Sequence, residues 1–205
     1  MPATKRRIKK TISKKPTAKA TKKTVLKSKT KKSVKPSVLK KALKKVAPIP
    51  KGYAAVTPYL IVKNAANALK FYQQAFGAKK VMQFLDPTGA VMHAEIKVGD
   101  SIVMLAEECS KMGARNPHAI GGTPVMFHLY VKNVDAAVKK AIAAGAMEQK
   151  PVKDQFYGDR SGCVIDPFGH VWNIATHVED VSPKELKRRF AALNPDSSSS
   201  RNKNA

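Results

Sequence analysis

The sequence predicts an α+β fold made of two βαβββ modules in tandem, preceded by a lysine-rich tail whose composition cannot support a core. Three observations carry this expectation. Residues 1–51 hold 20 Lys/Arg and no Asp/Glu, and the first aromatic residue is Tyr53. Two segments, YLIVKNAANALK (59–70) and HLYVKNVDAAVK (128–139), share V-K-N followed by an Ala-rich stretch at a constant offset of 69 residues. Both then run to Gly-Ala, at 77–78 and 145–146, so the chain repeats itself.

The tail comes first. The net charge of +25 divides into +20 for residues 1–51 and +5 for the remainder, which carries 19 basic and 14 acidic groups. A segment without acids or aromatics buries too little apolar surface to offset the entropy of ordering its backbone, so 1–51 is expected to be disordered. The folded part should begin near IPKGY (49–53), with one domain over 52–181 and modules at about 53–110 and 122–179.

Each module opens with an apolar, β-branched-rich strand and an Asn, Asn64 or Asn133, that can cap a helix through its side chain. Ala65, Leu69, Tyr72 and Phe76, and then Val134, Val138, Ala141 and Ile142, recur at helical spacing and predict one buried stripe each. Gly77 and Gly145 suit left-handed C-terminal caps. Strands follow at 80–85, 90–98 and 102–106, separated by D-P-T-G (86–89) and Gly99-Asp100. In the second copy they are expected around 148–153, where the signal is weak, then at 162–165 and 171–175 across D-P-F-G (166–169). Neither module of about 65 residues would be comfortably stable alone, so the two should share a core. Ser182-Pro183-Lys184-Glu185 reads as a capping box opening a basic helix, 182–193, and 194–205, with four consecutive serines, reads as a disordered end.

Cys109 and Cys163 form no C-x-x-C, which favours a reducing compartment. No apolar run approaches the roughly 18 residues that span a bilayer, and no secretory h-region is present. The expectation is a soluble, cytoplasmic protein without membrane insertion, nucleoid-associated if bacterial or nuclear if eukaryotic.

Together TPYL (57–60), Phe71-Tyr72 with Phe76-Gly77-Ala78, HAEI (93–96), YGDR (157–160), DPFGH (166–170) and THVED (176–180) resemble the vicinal oxygen chelate superfamily of glyoxalases, bleomycin-resistance proteins and extradiol dioxygenases, and within it the PhnB-like branch. The resemblance covers about 52–192. It implies that each module curls into an open cup, that the cups pair around a small organic ligand, and that homodimers are frequent. In metal-dependent members the ligands stand on the first and last strands of each module. Carried onto this chain, those positions are Thr57, Met104, Met126 and Asn173, and the repeat places them alike, since 57 and 126, and 104 and 173, are each 69 apart. Two thioethers, a hydroxyl and an amide are poor ligands for a divalent transition metal, so no cofactor is expected and a metal is disfavoured.

If those positions face the cup, strand alternation adds Tyr59 and His128 to its lining. His128 is equally well explained as a ligand-facing group or a buried, bonded histidine, and the methionines better as core filler. His93 and Glu95, two apart on one strand, share a face; they form either a candidate general base or an incidental pair on a solvated face, the second being preferred. Arg160 could grip a carboxylate or phosphate, or pair with Asp159, Asp166 or Glu179. Cys163 has no neighbouring base to activate it. DPFGHVWNIATH (166–177) reads as a turn and strand, with Asn173 where a metal carboxylate would stand and His177 still open to a ligand or partner. No Walker, H-E-x-x-H or G-x-S-x-G motif occurs, and Gly121-Gly122 reads as a linker.

In composition the tail looks similar to linker-histone and bacterial nucleoid-protein tails. Lys5, Arg6, Arg7, Lys9, Lys10, Lys14, Lys15, Lys22, Lys23, Lys31 and Lys32 are candidate nucleic-acid contacts, acting on phosphates and releasing counterions without reading sequence. Three classes therefore stand open: a lyase, isomerase or dioxygenase using His93, Glu95 and His128; a ligand-binding protein; and a nucleoid protein whose core dimerises to present two tails.

Overall fold

The computed structural model describes residues 46–193. The basic tail contacts, the disorder expected of the tail as far as residue 45 and that expected of the end from residue 194 lie outside the described residues. The order is β1 (Tyr59–Val62), α1 (Ala65–Phe76), β2 (Lys79–Leu85), β3 (Val91–Val98), β4 (Ser101–Glu107), a 3-10 turn (Ser110–Met112), α2 (Pro117–Ile120), β5 (Met126–Tyr130), α3 (Val134–Ala143), β6 (Met147–Asp154), β7 (Asp159–Ile165), β8 (Val171–His177) and α4 (Pro183–Leu193). Two four-stranded mixed sheets result, ordered β1-β4-β3-β2 and β5-β8-β7-β6. In each, the first strand pairs in parallel with the last and the other pairs are antiparallel. The α+β class and the tandem βαβββ order are those that the repeat predicted.

The repeat extends to how the helices begin. The Glu107 carboxylate accepts the backbone N–H groups of Asn64 and Ala65 at 2.7 Å each. At the position 69 residues on, the Thr176 hydroxyl accepts Val134 N–H at 2.9 Å and donates to Val131 O. In each module the end of the last strand thus holds the orphan donors of a helix N-terminus. Asn64 and Asn133 also cap as expected, through Asn67 N and Ala136 N.

α1 and α3 pack together, and the core lies between them and the convex sheet faces. Tyr72 is fully buried; its hydroxyl donates to Asp166 Oδ2 at 2.7 Å, and Trp172 Nε1 donates to the same atom at 2.9 Å. Asp166 Oδ1 accepts Phe168 N and His170 N, which fixes the D-P-F-G turn. Burial, and then the Asp166 charge, push the Tyr72 hydroxyl well above its ordinary pKa. His170, against Ile61 O, is pushed down by burial. The turn expected in DPFGH is therefore also the seam between the modules.

Three local expectations change. Ile142, placed on the buried stripe of α3, is exposed. Ala144, in helical geometry, caps α3, and Gly145 takes the positive φ one residue later. The Gly121-Gly122 linker follows a short helix, Pro117–Ile120, that the sequence did not announce, capped by Asn116 and Gly121. Only half of the capping box forms: Ser182 Oγ accepts Glu185 N–H, while the Glu185 carboxylate binds Arg188 and Arg189. Among the described residues no helix is long and apolar enough to cross a membrane.

Candidate functional site

The side chains that point away from the helices line two concave faces. On the first, Tyr59 and Glu95 flank Met104, being its partners on β1 and β3. A continuous chain of hydrogen bonds crosses this face: Tyr59 Oη to His93 Nδ1 at 3.0 Å, His93 Nε2 to Glu95 Oε1 at 3.2 Å, and Tyr53 hydroxyl to Glu95 Oε2. Glu95 is only 4% exposed, so the preferred expectation of a solvated strand face is overturned. The bond to Glu95 also raises the Tyr53 hydroxyl pKa, because ionising it would place two anions together. Tyr53 belongs to the stretch that enters the fold; with Pro48, Ile49 and Pro50 it covers a cavity of about 360 Å³ that also holds Thr57 and Met104. The Thr57 hydroxyl donates to Ala54 O. The first cup is thus partly closed by the chain's own approach segment.

Among the described residues, none of 46–58 lines the cavity of the second face. Met126, His128 and Tyr130 lie on β5, and His128 pairs in register with Asn173 of β8. Their side chains meet at 3.0 Å, Asn173 Nδ2 to His128 Nδ1, and the imidazole stacks obliquely on Tyr130, 4.7 Å between centroids. Met126, His128, Asn173, Cys163, Lys150 and Lys153 lie around a cavity of about 350 Å³. Met126 is 57% exposed, so core filling does not describe it, and His128 is not a buried histidine. Burial pushes the Cys163 thiol up, with Lys150 opposing more weakly; the group stays a neutral thiol that donates to Gln149 Oε1.

Arg160, expected in the ligand pocket, faces the other way. Ser161 and Cys163 line the cavity, so strand alternation sends Arg160 toward α3. There it grips both oxygens of Asp135, at 2.8 and 2.9 Å, and Asp154 at 3.0 Å; none of the three partners expected from the sequence is used. Its neighbour Asp159, 3% exposed, accepts Tyr130 Oη at 2.9 Å and holds His177 Nδ1 at 2.8 Å. Gly158 O accepts the N–H groups of Val178 and Glu179. The Y-G-D-R stretch therefore ties β7 to β5 and to the end of β8.

Residues 52–174 match the family model of the glyoxalase/bleomycin resistance protein/dioxygenase superfamily. The chain belongs to that superfamily. An uncharacterised protein of Mycobacterium bovis is 39% identical to this chain over 141 residues, which is 67% of this chain and 93% of the relative. A Mycobacterium tuberculosis protein matches equally over 83% of its own length. The crystal structure of TioX from Micromonospora sp. ML1 superposes with a TM-score of 0.50 at 24% identity, covering 61% of this chain and 99% of TioX, a likeness of fold alone.

The superfamily's ligand positions carried onto this chain fall in two places. Thr57 and Met104 lie under the approach segment, whereas Met126 and Asn173 lie in the open cup. Among the described residues, no three His, Cys, Asp or Glu side chains gather as a metal centre would require. Sequence reasoning missed Tyr53, Lys150 and Lys153. Tyr53 had one available signal: 69 residues on, its counterpart is Gly122, so the two modules differ at the mouth of the cup.

Proposed function

We propose that this superfamily member is a small-molecule-binding protein that holds an organic ligand in its second cup without a catalytic metal, and that its basic tail binds nucleic acid without sequence preference. The observation that carries the reading is the 350 Å³ cavity in which the His128–Asn173 pair meets apolar Met126, a size and mixture usual for small-molecule sites. The donor set argues against a metal. A thioether and a neutral amide stand where imidazole or carboxylate is needed. Base catalysis by His93 and Glu95 would require Tyr53 to leave the carboxylate.

The H-A-E-I and Y-G-D-R stretches support placement in the PhnB-like branch. Exposed Met126 and Tyr130 on the open face support pairing of two copies.

The test is a thermal-shift metabolite screen, with mass spectrometry of small molecules co-purifying with the protein. A hit whose shift disappears in His128→Ala supports the reading; a hit that needs His93 and is turned over moves the protein to the enzyme class. Elemental analysis giving stoichiometric zinc, nickel, iron or manganese would overturn the metal-free part. For the tail, DNA retention should fall steeply between 50 and 200 mM salt, as expected when about eight phosphates are contacted. Deleting residues 1–45 should abolish it, and retention by the truncated chain would refute the tail's role.

A further inference from the structure

Resting on the reading of the second cup as the ligand site, we propose that its ligand is an organic anion whose carboxylate or phosphate is held between Lys150 and Lys153 while its apolar body lies along Met126 and Pro151. The geometry of β6 is the starting point. Lys150 and Lys153 are three residues apart, and regular alternation would send them to opposite faces. A register shift between them resets the alternation, so that Lys150 pairs with Cys163 and Lys153 with Ser161, and both lysines line the cavity. Val152, inside this irregularity, sits on Gly162: a Cβ added there would meet Val152 Cγ2 at 2.8 Å.

The charge of this cavity is unbalanced. No acidic residue lines it, and among the described residues neither lysine forms an ion pair. Asp154, the nearest carboxylate in sequence to Lys153, is bound by Arg160. The repeat sharpens the contrast. In the first module the β3 partner of Met104 is the buried carboxylate Glu95; in the second the β7 partner of Asn173 is Cys163. The one buried negative charge of the first cup has become a neutral thiol.

The remaining polar groups favour the same ligand. Asn173 Nδ2 faces His128 Nδ1, so Nε2 is the ring nitrogen left to meet a ligand, and it can donate to an anion. Two unpaired like charges on one face repel, and an anion between them relieves the repulsion while forming charge-assisted hydrogen bonds.

The experiment titrates the full-length protein in 0.3 M KCl with phenyl phosphate, benzoate and phenol, followed by calorimetry. The proposal expects phenyl phosphate or benzoate to saturate at one per chain, the better of the two identifying the head group, and phenol to bind at least tenfold more weakly. Lys150→Gln with Lys153→Gln should weaken the anion at least tenfold, and Lys153→Met alone severalfold, with thermal midpoints unchanged. Lys9, Lys10, Lys14 and Lys15, all changed to Gln, should leave the titration as it is. Equal binding of phenol overturns the anion proposal but leaves a small-molecule cup. Saturation by neither anion, or binding lost with the tail lysines but not with Lys150 and Lys153, also overturns it, while the metabolite screen judges the broader reading.

Discussion

Tyr72 and Asp166, 94 positions apart, join the two modules through one hydrogen bond of 2.7 Å in the centre of the core. Asp166 is 3% exposed, has no cation partner among the described residues, and accepts from a phenol, an indole and two backbone N–H groups. Because all four donors converge on one side chain, seam and turn depend on each other.

Asp166→Ala should therefore cost at least about 3 kcal/mol, since each orphaned buried donor costs about 1–3 kcal/mol. Tyr72→Phe, which removes one bond and leaves the other three, should cost about 1 kcal/mol. Urea unfolding of both variants measures this, and equal losses would show that Asp166 serves Tyr72 alone.

Gly158→Ala should be poorly tolerated for two separate reasons. Its φ is +97°, and an added Cβ would sit 2.1 Å from the Glu179 carbonyl oxygen. Because the obstacle is backbone, strand β7 and the segment after β8 must part. A loss of more than about 2 kcal/mol is expected, beyond the cost of a positive φ alone; a loss under half of that would mean the two segments yield easily.

His177 gives the fold a pH dependence of defined sign. Hydrogen bonds to Asp159 first and Asp180 second raise its pKa above the ordinary histidine value. The resulting stabilisation is fully present below about pH 6.5, the unfolded value, and disappears as pH rises through the folded pKa. The gap in thermal midpoint between wild type and His177→Gln should be wider at pH 5.5 than at pH 9. A gap independent of pH would assign the stabilisation to packing.

Arg189 fastens α4 to the domain. It binds Glu179 at 2.6 Å and Glu185 at 2.8 Å, and Phe190 packs on Phe156. Arg188 and then Arg189 hold the Glu185 carboxyl down at about 2, and Arg189 lowers that of Glu179. Those pairs contribute above about pH 4.5 and are lost as pH falls toward 2. Exposed pairs of this kind contribute under about 1 kcal/mol each, so Arg189→Ala should leave the global midpoint in place. Hydrogen exchange in α4 alone should accelerate; a cooperative loss across β5–β8 would refute local docking.

The fold was legible because its duplication was. V-K-N, the Ala-rich helices and the Gly-Ala pairs after them all repeat, and a periodicity seen twice predicts topology better than either copy alone. Of the positions carried over from the resemblance, Met104, Met126 and Asn173 fall on β4, β5 and β8 for the same reason, whereas Thr57 lies two residues before β1. Arg160 was misplaced because the motif gave its type but not which face it occupied. Lys150 and Lys153 escaped because the register shift in β6 breaks the alternation from which faces are read, and because Pro151 and the surrounding charges do not look like a strand. Tyr53 was missed because its partner, Glu95, is 42 residues away, and the repeat marks only that Tyr53 differs from its counterpart Gly122, not what it touches.

Pro151 has a further effect that concerns the whole sheet rather than its cavity. β6 is the outermost strand of its sheet, and there Pro151 offers no N–H while Lys150 and Lys153 flank it with charge. Both features disfavour a neighbouring chain adding a fifth strand along that margin. Copies that associate would then do so through a face, such as the one that carries Met126 and Tyr130, and not by joining sheets along β6.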